Sequence, residues 1–172
     1  DKVIRRARVF FCTHFSTKIL ISSKTVKKDL KSISIQGEKS SLLIKHSVDI
    51  PLRSQLKTFS YLKKKYKIKN DYFFLPNHYW KHKNHIVVLK ALSGNIEKIK
   101  FQIVSTGNMS DHRHPKYIKK IKKYLLENKL GDRYKMLKVI PYIDMMSLMY
   151  YSIALINPSK SEGWSNTVEQ AK

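Results

Sequence analysis

Short apolar runs alternate with amphipathic stretches over most of the chain. The clearest runs are four or five residues long and end at Pro, Gly, Asn or Ser; they lie at 72–75, 101–105, 137–140 and 153–156. Runs of this length with breakers at their ends are typical of buried strands. Helices are predicted between them, at 84–92, at 115–128 and from Asp144. Strand and helix therefore alternate from residue 71 onward.

The first part of the chain carries weaker signals of the same kind. Strands are predicted at 19–21 and 40–44, and Ser23 is the expected N-cap of a helix that runs to Lys31. A lysine-rich helix follows at 56–66. Between them, Pro51 disfavours helix in the residue before it. We therefore predict a domain boundary near residue 50.

This order of elements predicts the fold class. Strands that are each followed by a helix favour a parallel sheet covered on both faces. Right-handed crossovers make that sheet a doubly wound, Rossmann-like α/β domain. Ligands of such domains bind beyond the carboxyl ends of the strands, which here are 76–77, 106–107, 140–141 and 157–159. Functional residues are expected in the loops that follow.

Composition excludes several classes of protein. The chain has 172 residues, and its single cysteine, Cys12, excludes a disulfide framework and a cysteine-based zinc site. The longest apolar-leaning run, 145–156, is shorter than the roughly 20 residues that span a bilayer. Five glycines and five prolines exclude a collagen-like or low-complexity chain.

The charge is strongly positive, with 35 Lys and Arg against 12 Asp and Glu, or +23. Three interpretations remain open: a nucleic-acid-binding face, attachment to anionic lipid, and an ordinary solvated lysine surface. No RNA-binding, zinc-finger or helix-turn-helix signature supports the first. A basic polyanion-binding module without catalysis is therefore kept as the alternative function.

The loop after the first of the clear strands, 76–85, is basic and runs into a helix. Lys83 and free backbone N–H groups at a helix start would attract phosphate, although spacing alone favours an ordinary solvated lysine at position 83. His78, His82 and His85 have a spacing that invites a metal site. Because neither a carboxylate nor a cysteine stands beside them, we expect no metal there.

Two further loops carry candidate residues. Gly107 follows the second of these strands, where a glycine lets the backbone approach a ligand or simply makes a turn. Glu162 follows the last strand and precedes a helix start, but this position alone favours an exposed loop residue. Neither a dinucleotide-binding glycine fingerprint nor a Walker A motif is present in the sequence.

Taken together, these segments resemble family 4 of the retaining glycosyltransferases, also called glycosyl transferases group 1. The resemblance covers about residues 70–172 and depends on four ordered motifs: Trp80-Lys81-His82-Lys83-Asn84-His85, Ser105-Thr106-Gly107, Ile140-Pro141-Tyr142 with Leu148-Met149, and Pro158-Ser159 through Glu162-Gly163-Trp164-Ser165 to Glu169-Gln170-Ala171. Four motifs in the family's order are far more specific than any one of them.

The resemblance implies the GT-B architecture of two Rossmann-like domains. Residues 1–50 would be the end of the N-terminal acceptor-side domain and the linker, and 51–172 the C-terminal nucleotide-sugar-binding domain, truncated at its end. The enzyme would transfer a hexose, with retention and without a metal or other cofactor, to a glycan or lipid-linked acceptor. Polysaccharide or cell-envelope biosynthesis in the cytoplasm, with contact to the anionic membrane face, would be its setting. The chain alone is expected to be inactive.

Site residues follow from the same resemblance. Glu162 would be the catalytic residue that holds the sugar hydroxyls, and Lys83 would bind the donor diphosphate. The backbone groups that would hold the donor phosphates are those of Asn166, Thr167 and Val168. The positions that would contact the rest of the donor are Asn77, Gly107, Ile140, Pro141 and Gln170.

Two positions depart from the family pattern. The family usually has glutamate at the position of Gln170, where it grips the ribose; here the glutamate is Glu169, about 100° away on a helix. Gln170 can still hydrogen-bond a hydroxyl, but without charge. The family also often has arginine at the position of Asn77, so one cation is missing unless Lys81 replaces it.

Overall fold

The computed structural model describes residues 2–44, 47–69 and 71–172, the side chains of Lys2 and Arg5 aside. The chain divides into two compact units: residues 1–48 with 162–166, and residues 49–161 with 167–172. The assignment of residues 1–50 to an acceptor-side domain stays a prediction.

Within its described residues, the first unit contains one pair of parallel strands and three helices. Its elements are α1 (Lys2–Phe15), β1 (Ile19–Ile21), α2 (Lys24–Lys31), α3 (Ile35–Lys39) and β2 (Ser41–Leu43). The strands pair in register, with Ile19 opposite Ser41. The predicted cap is confirmed, since the Ser23 hydroxyl accepts a hydrogen bond of 3.2 Å from the Val26 amide. Helices α1 and α3 were not predicted from the sequence.

The second unit repeats strand and helix in the predicted order. After a 3₁₀ turn (Arg53–Gln55), its elements are α4 (Phe59–Tyr66), β3 (Tyr72–Leu75), a second 3₁₀ turn (Lys81–Lys83), α5 (His85–Ser93), β4 (Gln102–Ser105), α6 (Tyr117–Glu127), β5 (Tyr134–Met136) and α7 (Tyr142–Tyr150). A short helix, α8 (Asn166–Gln170), ends the order of elements.

The sheet of the second unit is parallel. β3 pairs with β4, and β4 pairs with β5. Segment 153–156 runs along the free edge of β3 with a parallel bridge between Phe74 and Leu155. Backbone hydrogen bonds of 2.8 to 3.0 Å join it to Tyr72 and Phe74. The order is therefore 153–156, β3, β4, β5, so the direction of winding reverses beside β3.

Apolar clusters cover both faces of this sheet. One is centred on Phe74, Leu62 and Leu148, and brings α4 and α7 against the strands. The other is centred on Leu89, Ile103 and Ile121, and brings in α5 and α6. Helices therefore cover both faces of a parallel sheet, which confirms the predicted doubly wound α/β fold. Among the residues described, helices long and apolar enough to cross a membrane are absent.

The position of β5 corrects the strand predicted at 137–140. The chain pairs with β4 three residues earlier, where Tyr134 lies opposite Ile103 and is buried. Val139 is 69% exposed, and the Lys138 carbonyl accepts bonds from Thr106 and Gly107 outside the ladder. Burial of the large Tyr134 ring therefore sets the strand, although Lys135 interrupts its apolar pattern.

A buried carboxylate links α4 to α7. The Asp144 side chain accepts hydrogen bonds of 2.6 Å from the Lys65 ammonium and of 2.6 Å from the Tyr66 hydroxyl. Burial by itself would raise the pKa of Asp144, but the bonds from Lys65 and Tyr66 outweigh it and hold that pKa below its ordinary value. The link fixes the first turn of α7, which directly follows Ile140 and Pro141.

Candidate ligand-binding site

The loops after β3 and after segment 153–156 meet where the winding of the sheet reverses. Asn77, which is buried, donates its side-chain amide to the Asn157 side-chain oxygen at 3.3 Å. The Ser159 hydroxyl donates to the same oxygen at 3.0 Å. In open α/β sheets, the crevice beyond such a reversal is the usual ligand site. Asn77 lies at its base.

Gly107 lies against the same loop from the neighbouring strand. Its φ is +147°, a conformation that residues with a side chain rarely adopt. A Cβ at this position would lie 2.6 Å from the Asn77 carbonyl oxygen. The ends of β3 and β4 can therefore approach this closely only because residue 107 is glycine.

Lys83 ends the 3₁₀ turn that leads into α5, and its side chain is half-buried. Backbone contacts hold this turn against the loop after segment 153–156: the Lys160 amide donates to the His82 carbonyl at 2.9 Å. Asn84 has a left-handed φ of +57° and donates its side-chain amide to the Pro158 carbonyl at 3.2 Å. The predicted phosphate lysine thus lies on a rigid turn at the expected edge of the sheet.

The histidines of this loop have structural roles. His85 is fully buried, with Nε2 3.2 Å from the His78 carbonyl oxygen and Nδ1 3.0 Å from the Tyr134 hydroxyl. Because a carbonyl only accepts, Nε2 carries the proton and Nδ1 accepts from Tyr134. Burial lowers the pKa of His85 to about 4, so the ring is neutral near pH 7. His78 Nδ1 accepts the Asn108 amide at 2.9 Å.

A buried aspartate joins the loops that follow β3 and β4. Asp111 accepts hydrogen bonds from the backbone amides of Lys81, at 3.0 Å, and of Arg113, at 3.1 Å. The Lys81 amide, followed by the amide and charge of Arg113, holds the pKa of Asp111 below its ordinary value despite desolvation. The Arg113 guanidinium also lies 5.6 Å from the centre of the Trp80 ring. Neither Asp111 nor this link was predicted from the sequence.

Two of the residues predicted to contact the donor, Ile140 and Pro141, lie at the start of α7. Ile140 packs against the cluster around Phe74, and the exposed Pro141 directly precedes the helix. Gln170 donates its side-chain amide to the Tyr142 hydroxyl at 3.3 Å. The structure therefore brings Gln170 next to the 140–142 segment, although the two lie far apart in sequence.

The remaining predicted residues lie in or near α8. Glu162 is half-buried and Asn166 exposed, and both belong to the unit of residues 1–48 and 162–166. Thr167 and Val168 are half-buried and belong to the other unit. The roles assigned to these four residues by resemblance stay predictions.

Comparison with known proteins gives a result at the level of structure only. No family model matches the chain. No curated protein matches its sequence either. Solved structures do match it over nearly its whole length.

HepE from Anabaena, solved in complex with UDP and glucose, has a TM-score of 0.80 at 15% identity, over 99% of this chain and 46% of that one. A glycosyltransferase from Rickettsia africae has a TM-score of 0.74 at 18% identity, over 96% and 45%. Sucrose-phosphate synthase from Thermosynechococcus elongatus has a TM-score of 0.77 at 15% identity, over 99% and 42%. The chain therefore has the fold of GT-B glycosyltransferases and spans slightly less than half the length of these structures.

Proposed function

We propose that this chain binds the nucleotide-sugar donor in a retaining glycosyltransferase of family 4. The observation that carries the proposal is the meeting of Asn77, Asn157 and Gly107 at the reversal of the sheet. A fold shared with a protein solved in complex with UDP and glucose supports the same ligand class. Isothermal titration with UDP, GDP, ADP and their glucose conjugates tests it. Binding of one nucleotide family is expected, and binding of none contradicts the proposal.

The residue roles in this proposal are those of the resemblance. Lys83 neutralises the donor diphosphate, and the backbone of 166–168 holds phosphate oxygens, so no divalent metal is required. Ile140 and Pro141 line the base pocket, and Gln170 contacts the ribose. Two structural facts support this arrangement: Lys83 lies on a rigid turn beside the reversal, and Gln170 lies next to segment 140–142. Asn77 is buried and bonded to Asn157, which leaves Lys83 as the proposed cation of the diphosphate site.

We propose transfer of a hexose to a glycan or lipid-linked saccharide in the cytoplasm, with the lysine-rich surface of the protein against anionic lipid. The polyanion-binding alternative predicts a different result. The chain would then bind oligonucleotides more tightly than any nucleotide, and its affinity for them would fall steeply between 50 and 200 mM salt.

We expect Lys83→Ala to weaken nucleoside diphosphate and nucleotide-sugar binding alike, by about tenfold or more. The reason is that a charge-assisted hydrogen bond to phosphate contributes roughly 1.5 kcal/mol or more. Isothermal titration measures both affinities. Lys90→Ala is the matched control, because Lys90 is an exposed lysine on the next helix, α5. Equal affinities for the two variants would remove Lys83 from the site.

We expect Glu162→Ala to act differently. A carboxylate that binds sugar hydroxyls has no contact with a nucleoside diphosphate, so only the sugar-bearing donor should lose affinity, by about tenfold. The measurement is the ratio of the two affinities in the same titration. A loss of the same size for both ligands would assign Glu162 to the nucleotide or to folding instead of the sugar.

A further inference from the structure

A second cavity lies beside the proposed donor site, between the N-terminal ends of α5 and α6. Its volume is about 650 Å³, the size of a small-molecule site. Ile86, Pro115 and the buried Tyr117 provide its apolar lining. The donor roles proposed above use none of these residues.

The rest of the lining is cationic to an unusual degree. Lysine and arginine make up five of the ten lining residues, against 35 of 172 in the whole chain. They are Lys81, Arg113, Lys116, Lys120 and Lys160, and His114 lies among them. Acidic residues are absent from the lining of this cavity within the described part of the chain. A cavity beside α6's other end, by contrast, is lined by Lys122 and Lys129 together with Asp132.

Four of the five cations come from three loops that the fold holds together, and the fifth, Lys120, lies on α6. Lys81 follows β3, Arg113 and Lys116 follow β4, and Lys160 follows segment 153–156. Asp111 binds the amides of Lys81 and Arg113, and the Lys160 amide binds the His82 carbonyl. The backbone is therefore preorganised, which lowers the entropic cost of gathering the positive charges around a ligand.

A smaller cavity of about 240 Å³ adjoins the first. Lys81, Arg113, His114 and Lys160 line both cavities. These side chains can therefore contact anionic groups on either side, so the site has two adjoining positions for negative charge. The helix dipole at the start of α6 adds to the positive potential there.

We propose that this double cavity binds a phosphate ester that carries two phosphate groups on a small polyol or sugar. One phosphate lies in each cavity, and the apolar floor contacts the carbon framework. Arginine and lysine are the side chains that bind phosphate in this way. The ligand is either a soluble sugar bisphosphate or the headgroup of a lipid that carries two separate phosphate groups. The two share this chemistry.

The test uses two probes and the 172-residue chain. Fructose 1,6-bisphosphate is titrated by calorimetry, with fructose 6-phosphate as the single-phosphate comparison. Flotation with phosphatidylcholine vesicles containing 10% cardiolipin, whose headgroup joins two phosphates through glycerol, tests the lipid source. At least tenfold preference for the bisphosphate, or binding to cardiolipin vesicles but not to pure phosphatidylcholine, supports the proposal and identifies the source.

Matched variants place the binding in this cavity. Lys116→Gln with Lys120→Gln is expected to weaken binding about tenfold or more, since each lysine contributes a few-fold. Lys119→Gln with Lys122→Gln is the control: it removes the same charge from α6 but at positions outside the lining of this cavity. It should change the affinity for the probe less than twofold. Both pairs are exposed, so the unfolding temperature should not change.

Three results overturn the proposal. The first is that neither probe binds, and the second is that the two double variants lose the same amount of affinity. The third is that an oligonucleotide is the only competitor that displaces a bound probe. UDP affinity measured in the Lys116→Gln, Lys120→Gln variant separates this site from the donor site. It is expected to stay within twofold of the unchanged chain; a parallel tenfold loss would mean that the cavity is part of the donor site.

Discussion

Gly107→Ala is expected to lower the free energy of unfolding of the second unit by about 3 kcal/mol or more. The backbone at this position has a φ of +147°, which costs an alanine about 1–3 kcal/mol by itself. The new Cβ would also lie 2.6 Å from the Asn77 carbonyl oxygen and 2.8 Å from the His78 Cα. Both atoms belong to the backbone, so neither can rotate away as a flexible side chain would. Urea denaturation followed by circular dichroism measures the loss.

Gly94→Ala provides the matched control in the same unit. Gly94 follows α5 with a φ of −70°, which alanine adopts freely. A Cβ there would meet its nearest neighbour, the Lys90 carbonyl oxygen, at 3.5 Å, an ordinary contact. The change should leave stability unaltered or raise it by about 0.4–1 kcal/mol, because alanine restricts the unfolded chain. Equal effects of the two substitutions would show that position 107 does not require glycine.

The second large effect is a loss of stability in mild acid that is caused by His85. Burial lowers the pKa of this histidine to about 4 in the folded chain, against an ordinary value of about 6.5. Between these values the unfolded chain binds the extra proton, so acid favours unfolding. The contribution is fully present above pH 6.5 and disappears as the pH falls to 4. About 2 kcal/mol should be lost between pH 7 and pH 5, and about 3 kcal/mol by pH 4.

Urea denaturation at a series of pH values measures this dependence, with His85→Gln as the variant that lacks the titrating ring. The variant should lose a large part of the slope between pH 6.5 and pH 5. Some slope remains because desolvation and the charge of Lys83 also lower the pKa of His78. Carboxyl groups contribute little in this range, because their ordinary pKa is about 4. An unchanged slope in His85→Gln, or a ring that titrates near pH 6.5 by NMR in the folded protein, would contradict the assignment.

The strands of the second unit were predictable because their signals are local. Tyr72–Leu75 and Gln102–Ser105 are short apolar runs that end at Pro76 and at Thr106-Gly107, and burial on both faces demands that pattern. Their alternation with helices then restricts the topology to a parallel, doubly wound sheet. The fold class therefore follows from residues that lie next to each other in sequence.

The errors occurred where local signals point both ways. In α1, apolar residues recur at helical spacing, but Phe10, Phe11 and Cys12 are consecutive, and a short apolar run suits a strand equally well. At β5, the longer apolar run at 137–140 competed with a single buried tyrosine, Tyr134. Burial of Tyr134 in the tertiary structure decided the second case, and a one-dimensional pattern does not contain that information. In α1, Phe10 and Phe11 stay exposed, so burial does not explain why this segment is a helix.

The candidate site was predictable only in part for the same reason. Lys83 and Gly107 follow strands, and the family resemblance then assigned them donor roles. The contacts that position them connect distant residues: Asn77 with Asn157, Lys81 with Asp111, and Gln170 with Tyr142. A charged residue in a loop, such as Asp111, looks solvated until its backbone partners are known. The one local signal is weak: aspartate is common at the start of a turn, and the His114 amide does donate to the Asp111 carbonyl at 3.1 Å.

The pairing of β3 with segment 153–156 has a consequence for synthesis of the chain. The ribosome produces Phe74 about 80 residues before its partner Leu155, which takes roughly 4–16 s at ordinary elongation rates. Throughout that interval one edge of an aromatic, apolar strand has open backbone groups, and such edges pair readily with other chains. Nascent chains stalled before residue 150 should therefore aggregate or recruit chaperones more strongly than chains released after residue 160.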